Sequence, residues 1–232
     1  MDPSRAPRGA GERPAGPGPG LIVPPSSAEL RLWFEYAAGG FAELIDLIDP
    51  AKLDDPGLGE WSVRSLLGHS CRAFTTIEDY LAASRAFDPG EQLHGPVAYF
   101  HAAFASVGDP ADVAARGVAA GQALGDDPIA AAHAIADRVR PVVRATPDEA
   151  ILVTPVGVMR LIDYLPTRAF ELTVHSLDLA GATGIEPGSA LEHAVPPAVR
   201  LATALAGPGD AIAVLRAMTG RGPLRADFTV LG

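Results

Sequence analysis

Residues 168–180 read Arg-Ala-Phe-Glu-Leu-Thr-Val-His-Ser-Leu-Asp-Leu-Ala, and the spacing within this stretch decides the fold. Placed at 100° per residue, Arg168, Glu171, His175 and Asp178 fall within one narrow sector of a helix. Leu172 and Leu179 flank that sector on one side, and Phe170, Val174 and Leu177 on the other. The far face carries only the small residues Ala169, Thr173, Ser176, Ala180 and Thr183. An ionisable stripe therefore runs down the middle of the apolar face, where an amphipathic helix ordinarily carries leucines. Buried ionisable groups are costly unless they are paired or bound to a metal, so this helix predicts a compensating partner.

Working outward, Asp163 reads as the N-cap of this fourth main helix. Pro166 is tolerated inside its first turn, where an N–H has no intrahelical partner, and Gly181 and Gly184 close it. Just upstream, residues 150–159 (AILVTPVGVM) set two short apolar runs around a Pro and a Gly, which predicts a small hairpin or extended loop. A third main helix starts at Asp127-Pro128, a cap followed by proline at the first helical position, and runs into the 140s with a disturbance at Pro141. Asp109-Pro110 repeats that cap signal, and a shorter helical piece covers Val97 to Ser106.

The first two main helices are the most regular. One opens at Ser26, with Glu29 at capping-box spacing, and carries Leu30, Trp33, Phe34, Ala37, Phe41, Leu44, Ile45 and Ile48 at helical intervals until Pro50. The second starts at Ser62, with Trp61 and Leu66 at hydrophobic-staple positions and Leu66, Ala73, Phe74, Ile77 and Leu81 as its apolar stripe. Beyond the fourth helix, a last helical stretch from about Ala190 to Met218 breaks near Gly207-Pro208-Gly209. The expected fold is all-α, with a hairpin or extended loop before the fourth helix and a C-terminal helical extension. Residues 1–25, built almost wholly from Pro, Gly, Ala and Arg, cannot bury enough apolar surface to offset their ordering entropy and are expected to be a disordered tail. Residues 26–232 then form the bundle.

Composition excludes several function classes. The net charge of −10 leaves no basic stripe to displace counterions from phosphates, so no nucleic-acid partner is expected. No apolar run approaches the roughly 18 residues of a membrane span, and no apolar core marks a secretory signal. The single cysteine, Cys71, rules out an intramolecular disulfide framework, and the expected location is cytoplasmic. Cys71 lies some 200° from the face of His69 at helical spacing and reads as a small buried hydrophobe.

Glu171 and His175, four apart, project from one helix face with Cβ atoms about 5–6 Å apart, so a carboxylate oxygen and an imidazole nitrogen can converge on one cation. His69 on the second helix, three after Leu66 and four before Ala73, also points along an apolar stripe and is the natural third ligand. Two histidines and one glutamate suit zinc and leave positions open for water or substrate; nickel, iron or manganese accept the same set. Asp178 is a candidate acceptor for the free N–H of a ligand histidine. His101, in the aromatic-rich VAYFHAAF, is a candidate pocket residue, while His94, His133 and His193 lack such context. Two blander readings stay open: a bundle without metal in which Arg168 and Glu171 form an ion pair, and a non-enzymatic metal-binding or stress-response bundle.

At these residues the chain resembles a known family. Trp61 to His69 (WSVRSLLGH) is similar to the W-x-V-x-x-L-x-x-H segment of the DinB-like, mycothiol-dependent maleylpyruvate isomerase metal-binding domain, and Arg168 to Ala180 to its R-x-x-E-x-x-x-H-x-x-D-L-A helix. Leu215 to Leu224 (LRAMTGRGPL) resembles the closing motif of the family's shorter members. The resemblance implies a DinB-type four-helix bundle with a divalent metal on the matching His69, Glu171 and His175. It further implies a thiol-dependent isomerase or transferase that uses mycothiol as cosubstrate on a small electrophilic molecule. The stretch after the fourth helix is too short for the α/β domain that follows the bundle in the isomerase, so the substrate class does not carry over.

Overall fold

A computed structural model of the protein describes residues 24–83, 92–106 and 110–231. Most of the expected tail at residues 1–25, and Asp109 of the expected cap, lie outside the described residues. Helix α1 (Ser27–Ile45) is closed at its start by the capping box: Ser26 Oγ accepts from the Glu29 N–H, and the Glu29 carboxylate accepts from the Ser26 N–H at 2.8 Å. A short 3₁₀ turn at Pro50–Lys52 leads to α2 (Val63–Ala83), whose first turn is capped by Ser62 Oγ accepting from Ser65 N–H. Then come α3 (Gly95–Ala105), α4 (Pro110–Ala123), α5 (Pro128–Ala145), the strands β1 (Ile151–Thr154) and β2 (Gly157–Arg160), and α6 (Leu161–Thr183). Two further helices, α7 (Ser189–Leu205) and α8 (Pro208–Met218), follow, and a stretch without helix or strand runs on to residue 231.

The all-α reading holds, and the four main helices expected from the sequence are α1, α2, α5 and α6. Their apolar faces meet in one core that includes Phe34, Phe41, Phe74, Ile77, Leu165 and Leu172. α4 packs along α2, α7 along α1 and α6, and α3 along α6. The predicted hairpin is present, with β1 and β2 antiparallel and Leu152 opposite Met159, both fully buried. It delivers the chain directly into α6.

Four local expectations change. Asp163 does not cap α6: the helix begins at Leu161 with Arg160 as N-cap, and Asp163 instead accepts from the Arg160 guanidinium at 2.7 Å. Pro166 therefore lies in the second turn, and the helix continues through it. Gly184 ends α6 with a left-handed φ of 72°, which a side chain would resist, whereas Gly181 lies inside the helix. Pro141 does not interrupt α5, since it is exposed and the carbonyl it leaves free belongs to the exposed Asp137. The break expected near Gly207 separates α7 from α8, and α8 has no buried residue.

Candidate metal centre

Two helices position the centre. On α2, His69, Arg72, Ala73, Thr76 and Tyr80 recur at i, i+3, i+4, i+7 and i+11 and form one stripe. On α6, Arg168, Glu171 and His175 face it. Together with Tyr99, Phe100, Ala103 and Phe104 of α3 and Val113 and Arg116 of α4, they line a cleft of about 220 Å³. A larger groove of about 960 Å³ opens where α1 and α7 meet, but it holds none of the candidate ligands.

The three residues singled out from the sequence come together. One ligand atom each from His69, Glu171 and His175 lie within 4.8 Å of one another, and all three side chains are partly buried. The His69 and His175 rings meet edge to face, with centroids 4.9 Å apart. His175 Nε2 lies 3.1 Å from Glu171 Oε2, and its Nδ1 lies 3.1 Å from Asp178 Oδ2. Asp178 thus stands where an orienting acceptor for a ligand histidine belongs. His69 Nδ1 is buried and has no hydrogen-bond partner among the described residues.

Electrostatics sets the two imidazoles apart. Burial disfavours charge on His69, the neighbouring His175 adds to that, and its pKa is held down at about 4. Burial also opposes charge on His175, but the hydrogen bonds to Asp178 and Glu171 outweigh it and push the pKa up to about 9. Burial would raise Glu171; the His175 hydrogen bond and the Arg168 charge win and hold it at about 2. One neutral imidazole, one carboxylate and one imidazole that keeps an acceptor on its far nitrogen form a donor set that fits a divalent cation. Burial raises the Cys71 thiol to about 12, so it stays protonated and inert, as expected of a small buried hydrophobe.

Arg168 does not form the ion pair with Glu171 that the helix spacing allows. It is buried, bonds Thr167 Oγ1 through Nε at 2.9 Å, and holds its guanidinium 4.8 Å from the Tyr164 ring centroid and 5.5 Å from that of Tyr99. No carboxylate lies within salt-bridge distance of it among the described residues, and the same holds for Arg72 and Arg116. The cleft is therefore cationic in a protein of net charge −10. His101 is exposed on α3 and does not line it. The other described histidines sit elsewhere: His94 precedes α3, His133 pairs with Asp46 at 2.7 Å, and His193 stacks on Tyr36.

Sequence reasoning missed Arg72, Arg116, Tyr80 and Tyr99. Arg72 and Tyr80 were detectable, since they share the helical stripe of His69; Tyr99 and Arg116 come from helices that only tertiary packing brings to the cleft.

A family described as Mycothiol maleylpyruvate isomerase N-terminal domain matches this chain over residues 34–180, a span that contains all three candidate ligands. Comparison with curated proteins and with solved structures gave no match.

Proposed function

The chain belongs to the mycothiol maleylpyruvate isomerase N-terminal domain family, and from that membership we propose that it is a metal- and thiol-dependent isomerase or transferase. His69, Glu171 and His175 hold one divalent cation, with zinc the natural occupant of a two-nitrogen, one-carboxylate set and nickel, iron or manganese accepted by the same donors. A cation at this position lowers the pKa of an acid that ligates it, which makes a thiolate available near neutral pH. The low-molecular-weight thiol is mycothiol, on the strength of the family.

The chain's own residues supply the remaining parts. Asp178 accepts the Nδ1–H of His175 and so fixes which nitrogen faces the cleft. Arg72, Arg116 and Arg168 recognise negative charge on the substrate, which we assign as a small anionic electrophile. In the isomerase version the thiolate adds to an activated double bond, the former double bond rotates as a single bond, and elimination returns the thiol. In the transferase version the same thiolate displaces a leaving group, which departs with the bonding electron pair. The cleft's about 220 Å³ admits only a small substrate portion at the centre.

The observation that carries this reading is the convergence of three donors within 4.8 Å on the wall of a cationic cleft. Metal analysis of untagged protein tests it directly. Wild type is expected to carry about one equivalent of divalent metal by the ligand stoichiometry of such sites, and His175→Ala is expected to lose it. Unchanged metal in His175→Ala sinks the site. Turnover of anionic electrophiles with and without added thiol then separates an enzyme from a metal binder.

A further inference from the structure

The two histidines of the centre are held in different ways. His175 has a carboxylate on its Nδ1, the usual device for fixing a ligand imidazole. His69 has none, and its buried Nδ1 finds no acceptor among the described residues. What touches the His69 ring instead is the indole of Trp61, with centroids 4.5 Å apart and planes inclined by 35°. The edge of His175 closes another side, but that ring is a fellow ligand and cannot serve as an independent reference.

Trp61 is itself fixed from α4. Its Nε1–H donates to the Ala114 carbonyl at 2.9 Å. A Cβ placed on Gly117 would fall 2.3 Å from Trp61 Cε2 and 2.5 Å from Nε1, so the indole occupies the space that the missing side chain leaves. Trp61 is 9% exposed, so this contact is a packed one. The hydrogen bond removes in-plane freedom and the glycine surface removes tilt. A path of contacts therefore runs from α4 through Trp61 to the His69 ring.

We propose that Trp61 is the positioning residue of His69, taking the place of the acceptor that His69 lacks, and that Gly117 is the feature of α4 that allows it. The staple position of Trp61 at the start of α2 explains its burial but not its contact with the His69 ring. This inference rests on His69 being a metal ligand, as proposed above.

Cobalt(II) titration of the full chain, followed by visible absorption, tests it together with the thermal stability of each variant. Trp61→Leu is expected to weaken metal binding about 10–100-fold, the range found when a group that orients a metal ligand is removed. Gly117→Ala should weaken it in the same direction and shift the cobalt absorption envelope, because the indole must move. Trp61→Phe, which keeps an aromatic face, should recover a large part of what Trp61→Leu loses. Leu205→Ala in the core of α7, by contrast, should lower thermal stability and leave metal affinity unchanged. Should Trp61→Leu fail to fold, Gly117→Ala and Trp61→Phe read the same effect. Wild-type affinity in Gly117→Ala and Trp61→Leu overturns the inference and leaves the metal site standing. A wild type that binds no cobalt overturns the ligand assignment and the inference with it.

Discussion

The α6 side of the centre and its α2 side reach similar precision by opposite means. On α6, Glu171, His175 and Asp178 are neighbours on one helix and hold one another through hydrogen bonds of 3.1 Å. On α2, His69 makes no such bond, and its place follows from how closely α2 lies against α4. A Cβ on Gly68, the residue before it, would come within 2.3 Å of the Gly121 backbone nitrogen and 2.4 Å of the Ala120 carbonyl carbon. The two backbones are in direct contact there. A site can thus be rigid on one side by local bonding and on the other by packing, and the two sides should fail under different perturbations.

The largest expected effect is on the packed side. Gly68→Ala forces a methyl into backbone that cannot move aside as a flexible side chain would, and should destabilise the protein by about 1–3 kcal/mol or more. Denaturant unfolding measures this, and metal affinity should fall with it. A neutral Gly68→Ala would break the contrast between the two sides.

The bonded side should yield to a change in chemistry at constant shape. Asp178→Asn keeps the volume but removes the charge that supports His175, so it should weaken metal binding about 10–100-fold and, in metal-free protein near neutral pH, also lower stability as the His175 imidazolium loses a partner. Titration calorimetry reads the first effect and denaturant unfolding of metal-free protein the second.

pH sharpens the same contrast in metal-free protein. His69, held at about 4 against an ordinary 6.5, takes up its proton less readily when folded, so stability should fall as pH drops from 6.5 toward 4. His175, raised to about 9 from 6.5, contributes stability that is complete below pH 6.5 and is lost as pH rises through about 9. Glu171, depressed from 4.5 to about 2, contributes above pH 4.5 and loses that contribution only as pH falls toward 2. Thermal unfolding from pH 4 to 9 should therefore lose its alkaline decline in His175→Ala, while His69→Ala should show a shallower acid decline. An alkaline decline that persists in His175→Ala contradicts the assignment of that charge.

The smallest effect is again a glycine, now on α6. Gly181 lies within the helix, is exposed, and has nothing within 4 Å of where a Cβ would sit. Gly181→Ala should stabilise the protein by about 0.5–1 kcal/mol through helix propensity alone. Opposite signs for Gly68→Ala and Gly181→Ala in one assay would show the difference between the two helices most economically.

Much of the centre is legible in the sequence. The spacing of Glu171, His175 and Asp178 places them on one helix face whatever the tertiary fold, because i to i+4 geometry is local. The capping box at Ser26 and Glu29 and the cap at Asp127, which accepts from Ala130 N–H at 3.0 Å, are readable for the same reason. Where local reading goes astray, the competing interaction is also local but ambiguous. Asp163 has the type of an N-cap residue, yet the hairpin feeds α6 three residues earlier and Arg160 claims its carboxylate.

Arg168 marks the boundary between the two kinds of information. By spacing alone it can pair with Glu171; in the fold it lies between Tyr164 of its own helix and Tyr99 of α3. Tyr99 is distant in sequence, and only the docking of α3 on α6 brings the ring there. The same holds for Arg116 in the cleft and for Gly117 under Trp61, both supplied by α4. By itself, therefore, the sequence determined the helices, their polar stripe and the set of candidate donors, since these depend on contacts within about one helical turn. Only the tertiary structure decided which arginines face the donors, that His101 does not, and that the Trp61 indole lies against His69. Those outcomes depend on which helices pack together and how closely, and side-chain spacing along a single helix carries no record of that.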